Sequence, residues 1–151
     1  MKRTKVLILC LFTLLIAGCS DTKTTVKPDE FLSVMGEFKL DVQDQTETVD
    51  YADAIYRVNS DTYDFIYIDG KKKYDIEGLF VDQCKNVVDD IGTGIGTYKQ
   101  DTGSGSNWAK LEITTEDTYY YVSWIGDTYI YIKGLIADAD MFRNIIKELG
   151  Y

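Results

Sequence analysis

The stretch Tyr119-Tyr120-Tyr121-Val122-Ser123-Trp124-Ile125-Gly126-Asp127-Thr128-Tyr129-Ile130-Tyr131-Ile132-Lys133-Gly134 reads as two strands joined by Gly126-Asp127. Gly in first place of a two-residue loop fits a type II′ hairpin. Pairing across that loop sets Ile125 opposite Thr128, Trp124 opposite Tyr129, Val122 opposite Tyr131 and Tyr120 opposite Lys133. One face then carries Tyr120, Val122, Trp124, Tyr129 and Tyr131, and the other Tyr121, Ile125, Ile130 and Ile132. The aliphatic face is the expected bed for helices, which leaves the Tyr/Trp face partly wet.

Upstream, Trp108 to Thr114 alternates as a further strand, and Gly92 to Asn107, rich in Gly, Ser and Thr, reads as a loop. Tyr74 to Ile91 is the clearest helix. Ile76, Leu79, Phe80, Cys84, Val87, Val88 and Ile91 recur at three- and four-residue steps, with Asp75 as N-cap and Gly92 as the stop. Ala52 to Val58 and Tyr63 to Ile68 are strands separated by Asn59-Ser60-Asp61-Thr62, and Phe38, Leu40 and Val42 alternate as another. Pro28-Asp29-Glu30 opens a helix that continues through Phe31, Leu32 and Met35 and stops at Gly36. At the other end Asp138 caps a helix whose face is Met141, Phe142, Ile145, Ile146 and Leu149, ended by Gly150.

The order is αβββαβββα. Neighbouring strands without helical crossovers favour antiparallel pairing. The expectation is therefore one α+β domain over 28–151, with about six mainly antiparallel strands and helices packed largely on one face. Two αβββ halves suggest an old duplication, although no residue-level repeat demonstrates it.

The N-terminus carries a different message. Met1-Lys2-Arg3-Thr4-Lys5 is a basic start and Val6 to Ala17 an apolar run broken only by Thr13, as in a secretory signal peptide. The run is too short to span a bilayer, which takes about 20 residues. Leu15-Ile16-Ala17-Gly18-Cys19 resembles the lipobox of bacterial lipoproteins. The resemblance implies cleavage after Gly18, a diacylglycerol on the Cys19 thiol, and a cell-membrane location on the extracytoplasmic face. Residues 19–27, polar and Thr-rich, read as the acylated cysteine and a flexible tether reaching about 25 Å. In overall layout, down to Lys147-Glu148-Leu149-Gly150-Tyr151, the chain resembles small single-domain envelope lipoproteins of Gram-positive bacteria whose function is unknown. That likeness carries location and fold and no catalytic residue.

Charge narrows the chemistry. Sixteen basic and 25 acidic residues among 151 give −9, which argues against a nucleic-acid partner. Loss of Lys2, Arg3 and Lys5 with the signal takes the balance to −12. The lipid, and not a basic patch, must then hold the protein to an anionic leaflet. There is no His, so a conventional base for Ser123 is missing, as is the commonest transition-metal ligand. No cofactor and no metal are expected. Cys84, on the apolar helix face, reads as a core residue. Gly92-Thr93-Gly94-Ile95-Gly96 follows a helix and leads to a strand, the reverse of a phosphate-cradling loop, and reads as a connector.

These features favour a membrane-anchored, non-enzymatic binding module that meets an envelope protein or glycan through Tyr120, Trp124, Tyr129 and Tyr131, amphipathic rings suited to such surfaces. Two alternatives stand beside it. One is a carboxylate-based hydrolase using acids among Asp50, Asp53, Asp64 and Asp69; the other is an acidic inhibitor or immunity-type protein steered to a basic enzyme.

Overall fold

The structure, a computed structural model, describes residues 21–92 and 98–151. Residues 1–20, where a signal peptide, a lipobox and an acylated Cys19 are expected, lie outside the described residues, as do residues 93–97 of the stretch read as a connector.

Among the described residues, three α-helices and seven strands form one α+β domain: α1 (Pro28–Glu37), β1 (Val42–Asp44), β2 (Ala52–Val58), β3 (Asp64–Gly70), α2 (Ile76–Ile91), β4 (Lys99–Ser104), β5 (Trp108–Thr114), β6 (Thr118–Ile125), β7 (Thr128–Leu135) and α3 (Ala139–Leu149). The strands make a single sheet in the order β1-β2-β3-β7-β6-β5-β4, every neighbour antiparallel. The β6–β7 hairpin has the register read from the sequence, with Trp124 opposite Tyr129 and Val122 opposite Tyr131. Gly126 supplies the positive φ (+59°) that its turn requires.

The sheet is covered on both sides. On one, α1 and α3 bury Phe31, Met35, Phe142, Ile145 and Leu149 against Phe65, Tyr67, Tyr119, Tyr121, Ile130 and Ile132. Phe31 is the hub, its ring stacked on Tyr67 at 4.6 Å and edge-on to Phe65 at 5.7 Å. On the other, α2 lays Ile76, Phe80, Cys84 and Val87 over Leu111, Ile113, Tyr120, Val122 and Tyr129. Two of the three helices thus share a face, and the third lies opposite. This arrangement opposes a simple αβββ duplication. A two-fold axis relating β1-β2-β3 to the antiparallel β5-β6-β7 would pass through the sheet and keep each face to itself, whereas α1 and α2 lie on opposite faces.

Helix α2 starts where expected, the Asp75 carboxylate accepting from the Gly78 N–H at 2.8 Å. Asp138 stands at the N-cap of α3 without such a bond, while Gly150 closes that helix in the left-handed region. Two expectations fail locally. Gly36 lies inside α1, and the turn falls instead at Lys39 (φ 57°), so Phe38 and Leu40 belong to a turn and only Val42–Asp44 pairs as β1. The Leu40 N–H reaches back to the Met35 carbonyl at 2.9 Å, which closes that turn. The stretch 92–107, read as a loop, contains β4, a polar edge strand paired with β5 from Lys99↔Thr114 to Ser104↔Ala109. Its ladder needs only main-chain groups, and an edge strand of polar residues has no apolar period to reveal it.

Candidate functional site

The expected aromatic face is a helix seat. Tyr120 and Tyr129 are buried under α2, and Trp124 and Tyr131 are half-buried at the margin of the same cluster. The aromatic side therefore does not stand open, because α2 needs an apolar floor and the Tyr and Trp rings provide one. Tyr120 has a structural task as well. Its hydroxyl donates to Asp90 Oδ2 at 2.7 Å, as does Lys133 Nζ at 2.7 Å, pinning the end of α2 to β6 and β7. These two bonds, Lys133 first, hold the Asp90 carboxyl below its ordinary range. Burial pushes the Tyr131 hydroxyl up to about 12. The Trp124 indole N–H is buried and has no hydrogen-bond partner among the described residues.

Other residues singled out by sequence take structural places. Ser123 is buried and its Oγ donates to the Ala109 carbonyl at 2.8 Å. Cys84 is fully buried, and that burial pushes its thiol well above the usual range, the state of a packing residue.

The acids fall into two groups. Asp64, at the start of β3, accepts from Arg57 at 2.7 Å. Asp69, near the other end of the same strand, is five residues on, about 17 Å along an extended chain. That exceeds the separation of about 5–9 Å that a glycosidase pair uses. Asp69 itself is raised to about 6, by burial first and then by the neighbouring charges of Asp127 and Asp53. No group of three or more His, Cys, Asp or Glu able to hold a metal occurs among the described residues.

A feature that residue patterns did not reveal is the fate of residues 21–27. They do not form a tether; they are strapped across one end of the domain. The Asp21 carbonyl accepts from the Ser106 N–H at 3.0 Å and Oγ at 3.2 Å. The Asn107 side-chain amide brackets Lys23, accepting its N–H at 2.9 Å and donating to its carbonyl at 2.8 Å. Lys23 Nζ rests 4.5 Å over the Trp108 ring. Burial and the nearby Lys110 charge lower that ammonium below its ordinary range. Val26 is buried in the core, and its carbonyl accepts from the Tyr67 hydroxyl at 2.7 Å. Gly105 is required here, since a Cβ would collide with Trp108 and the Asp21 carbonyl. The one signal in the sequence is the run Gly105-Ser106-Asn107, a small residue followed by two short side chains able to bond a neighbouring main chain.

The strap walls a cleft of about 580 Å³ shared with α1 and the end of α3, lined by Glu30, Glu37 and Glu148 among others. A second, of about 260 Å³, opens between Glu112, Tyr119, Tyr121 and Arg143. Asp69 lines neither. No protein-family model, curated protein or solved structure matches the chain.

Proposed function

We propose that the chain is a lipid-anchored, extracytoplasmic binding module, held through an acylated Cys19 and acting by contact with an envelope protein or glycan. The observation that supports this reading best is Leu15-Ile16-Ala17-Gly18-Cys19, small residues before a cysteine at the end of a basic start and a short apolar run. Acylation by two chains gives durable attachment where one would be reversible. The domain carries −12 once the signal is removed, so attachment falls to the lipid. Contact with a partner through the aromatic side is confined to the parts of Trp124 and Tyr131 that α2 leaves uncovered.

The intact mass of the membrane-extracted protein tests the anchor. A mature chain beginning at Cys19 with a diacylglycerol adduct is expected, and Cys19→Ser should shift the protein from the membrane fraction to the soluble one. An unmodified thiol or an uncut leader would overturn the reading. For the binding surface, Tyr131→Ala should weaken capture of envelope material by the full-length protein, and unchanged capture by a folded variant removes this surface.

One observation favours the carboxylate-hydrolase reading as a second line, namely Asp69, raised to about 6 beside Asp53 and Asp127. It requires envelope-glycan hydrolysis that Asp69→Asn abolishes. Equal turnover by the folded variant would exclude Asp69 as a catalytic acid.

A further inference from the structure

We infer that the anchored domain stands on the bilayer by one end of its sheet, in a fixed orientation, instead of swinging at the end of a leash. The inference rests on the acylation of Cys19 proposed above and adds to it a surface and its partner, the lipid headgroup layer.

The geometry is that of a short lead to a fixed post. Asp21 is two residues from Cys19, so their Cα atoms are at most about 7 Å apart. Asp21 is bonded to Ser106 in the β4–β5 turn, and Lys23 to Asn107 beside it. A free seven-residue leash would let the domain tumble through a shell some 25 Å deep. Strapped down, those residues provide no such freedom.

The end so fixed is continuous. The Gly126 N–H donates to the Asn107 carbonyl at 2.8 Å, which joins the β6–β7 turn to the start of β5. The Gly70 N–H donates to the Asp127 carbonyl at 2.8 Å, which joins the end of β3 to that turn. Four neighbouring strands, β5-β6-β7-β3, therefore present one edge about 14 Å wide from Asn107 to Gly70. Beyond Gly70 stand three exposed lysines, Lys71, Lys72 and Lys73. The same end carries the acids Asp21, Asp53, Asp69 and Asp127, so its sign is mixed. Its contact with headgroups is accordingly set by the strap and the anchor and does not depend on the charge of the lipid. The opposite end, with the β5–β6 turn around Glu116 and the exposed Leu135 and Ile136 (51% and 36% accessible), then points away from the membrane. Strand β6, at eight residues, sets that end roughly 25 Å further out.

The test uses the full-length, acylated protein in vesicles, its adduct on Cys19 first verified by intact mass. A fluorophore is placed through Asp127→Cys or, separately, Glu116→Cys, both positions being exposed turn residues; Cys84 is buried and stays unlabelled. Energy transfer to a headgroup-bound acceptor is then read in phosphatidylcholine vesicles with and without phosphatidylglycerol. Several-fold stronger transfer from position 127 than from 116, alike in both lipids, is the expected result. Releasing the strap by Asn107→Ala, or by Gly105→Val as a second route, should bring the two positions towards equality. Equal transfer from both positions on a protein of proven acylation, or stronger transfer from 116, overturns the orientation while leaving the anchor intact. A protein without the acyl mass removes the anchor and the orientation with it.

Discussion

Asn107 offers the sharpest test at the scale of the residue, because one side chain satisfies both main-chain groups of Lys23. Asn107→Ala removes two hydrogen bonds in a partly buried setting, and a loss of about 1–3 kcal/mol is expected from denaturant unfolding. Amide exchange of residues 22–25 should rise more than that of the β6–β7 ladder, since the strap is released before the core. Trp124 is the converse case. Sequence marked it as a contact residue, yet its ring packs at the margin of the α2 cluster, so Trp124→Ala should cost roughly 2–4 kcal/mol. A binding defect in that variant has to be read beside its melting curve. The sequence could name Trp124 and Tyr120 as aromatic but not say which helix would lie on them, because ring chemistry suits a core and an interface equally.

Among elements, α2 was the most legible, because its apolar residues recur at helical steps and Asp75 makes the cap that its position predicts. Asp75→Ala should destabilise the domain by about 1 kcal/mol, measured as a shift in the unfolding midpoint at unchanged slope. The β6–β7 hairpin was equally legible: a two-residue turn admits one register, and that register determines every face. Strand β4 was not, since Lys99–Ser104 carries Gln, Asp, Thr, Gly and Ser and joins the sheet through its main-chain ladder with β5, helped by the bond from Lys110 Nζ to Asp101 Oδ2 at 2.6 Å. The strap escaped for a related reason. Its bonds run to Ser106 and Asn107, and contacts across some 84 positions leave no local period.

For the whole molecule, the linked quantity is pH. Asp69 is raised to about 6 in the folded protein and sits at 3.8 when unperturbed. The folded state therefore holds that proton more tightly, and its ionisation opposes folding. The penalty is absent below about pH 4, grows through pH 4–6 and is fully present above that. Stability should thus fall across this window as pH rises, by on the order of 1 kcal/mol from this group after allowance for solvent screening. Asp69→Asn should flatten the profile there and raise the melting temperature at pH 7. A steeper profile in the variant would contradict this sign.

By itself the sequence determined the three helices, the strands β2, β3 and β5 to β7, the antiparallel α+β class and the pairing of the central hairpin. All of these follow from periods of two and 3.6 residues and from a glycine turn, information local in the chain. Only the tertiary structure decided that α2 covers the Tyr/Trp side, that a polar stretch completes the sheet as β4, and that residues 21–27 are bound to the domain. Those outcomes depend on which distant groups are left to be buried or hydrogen-bonded once the chain has closed on itself.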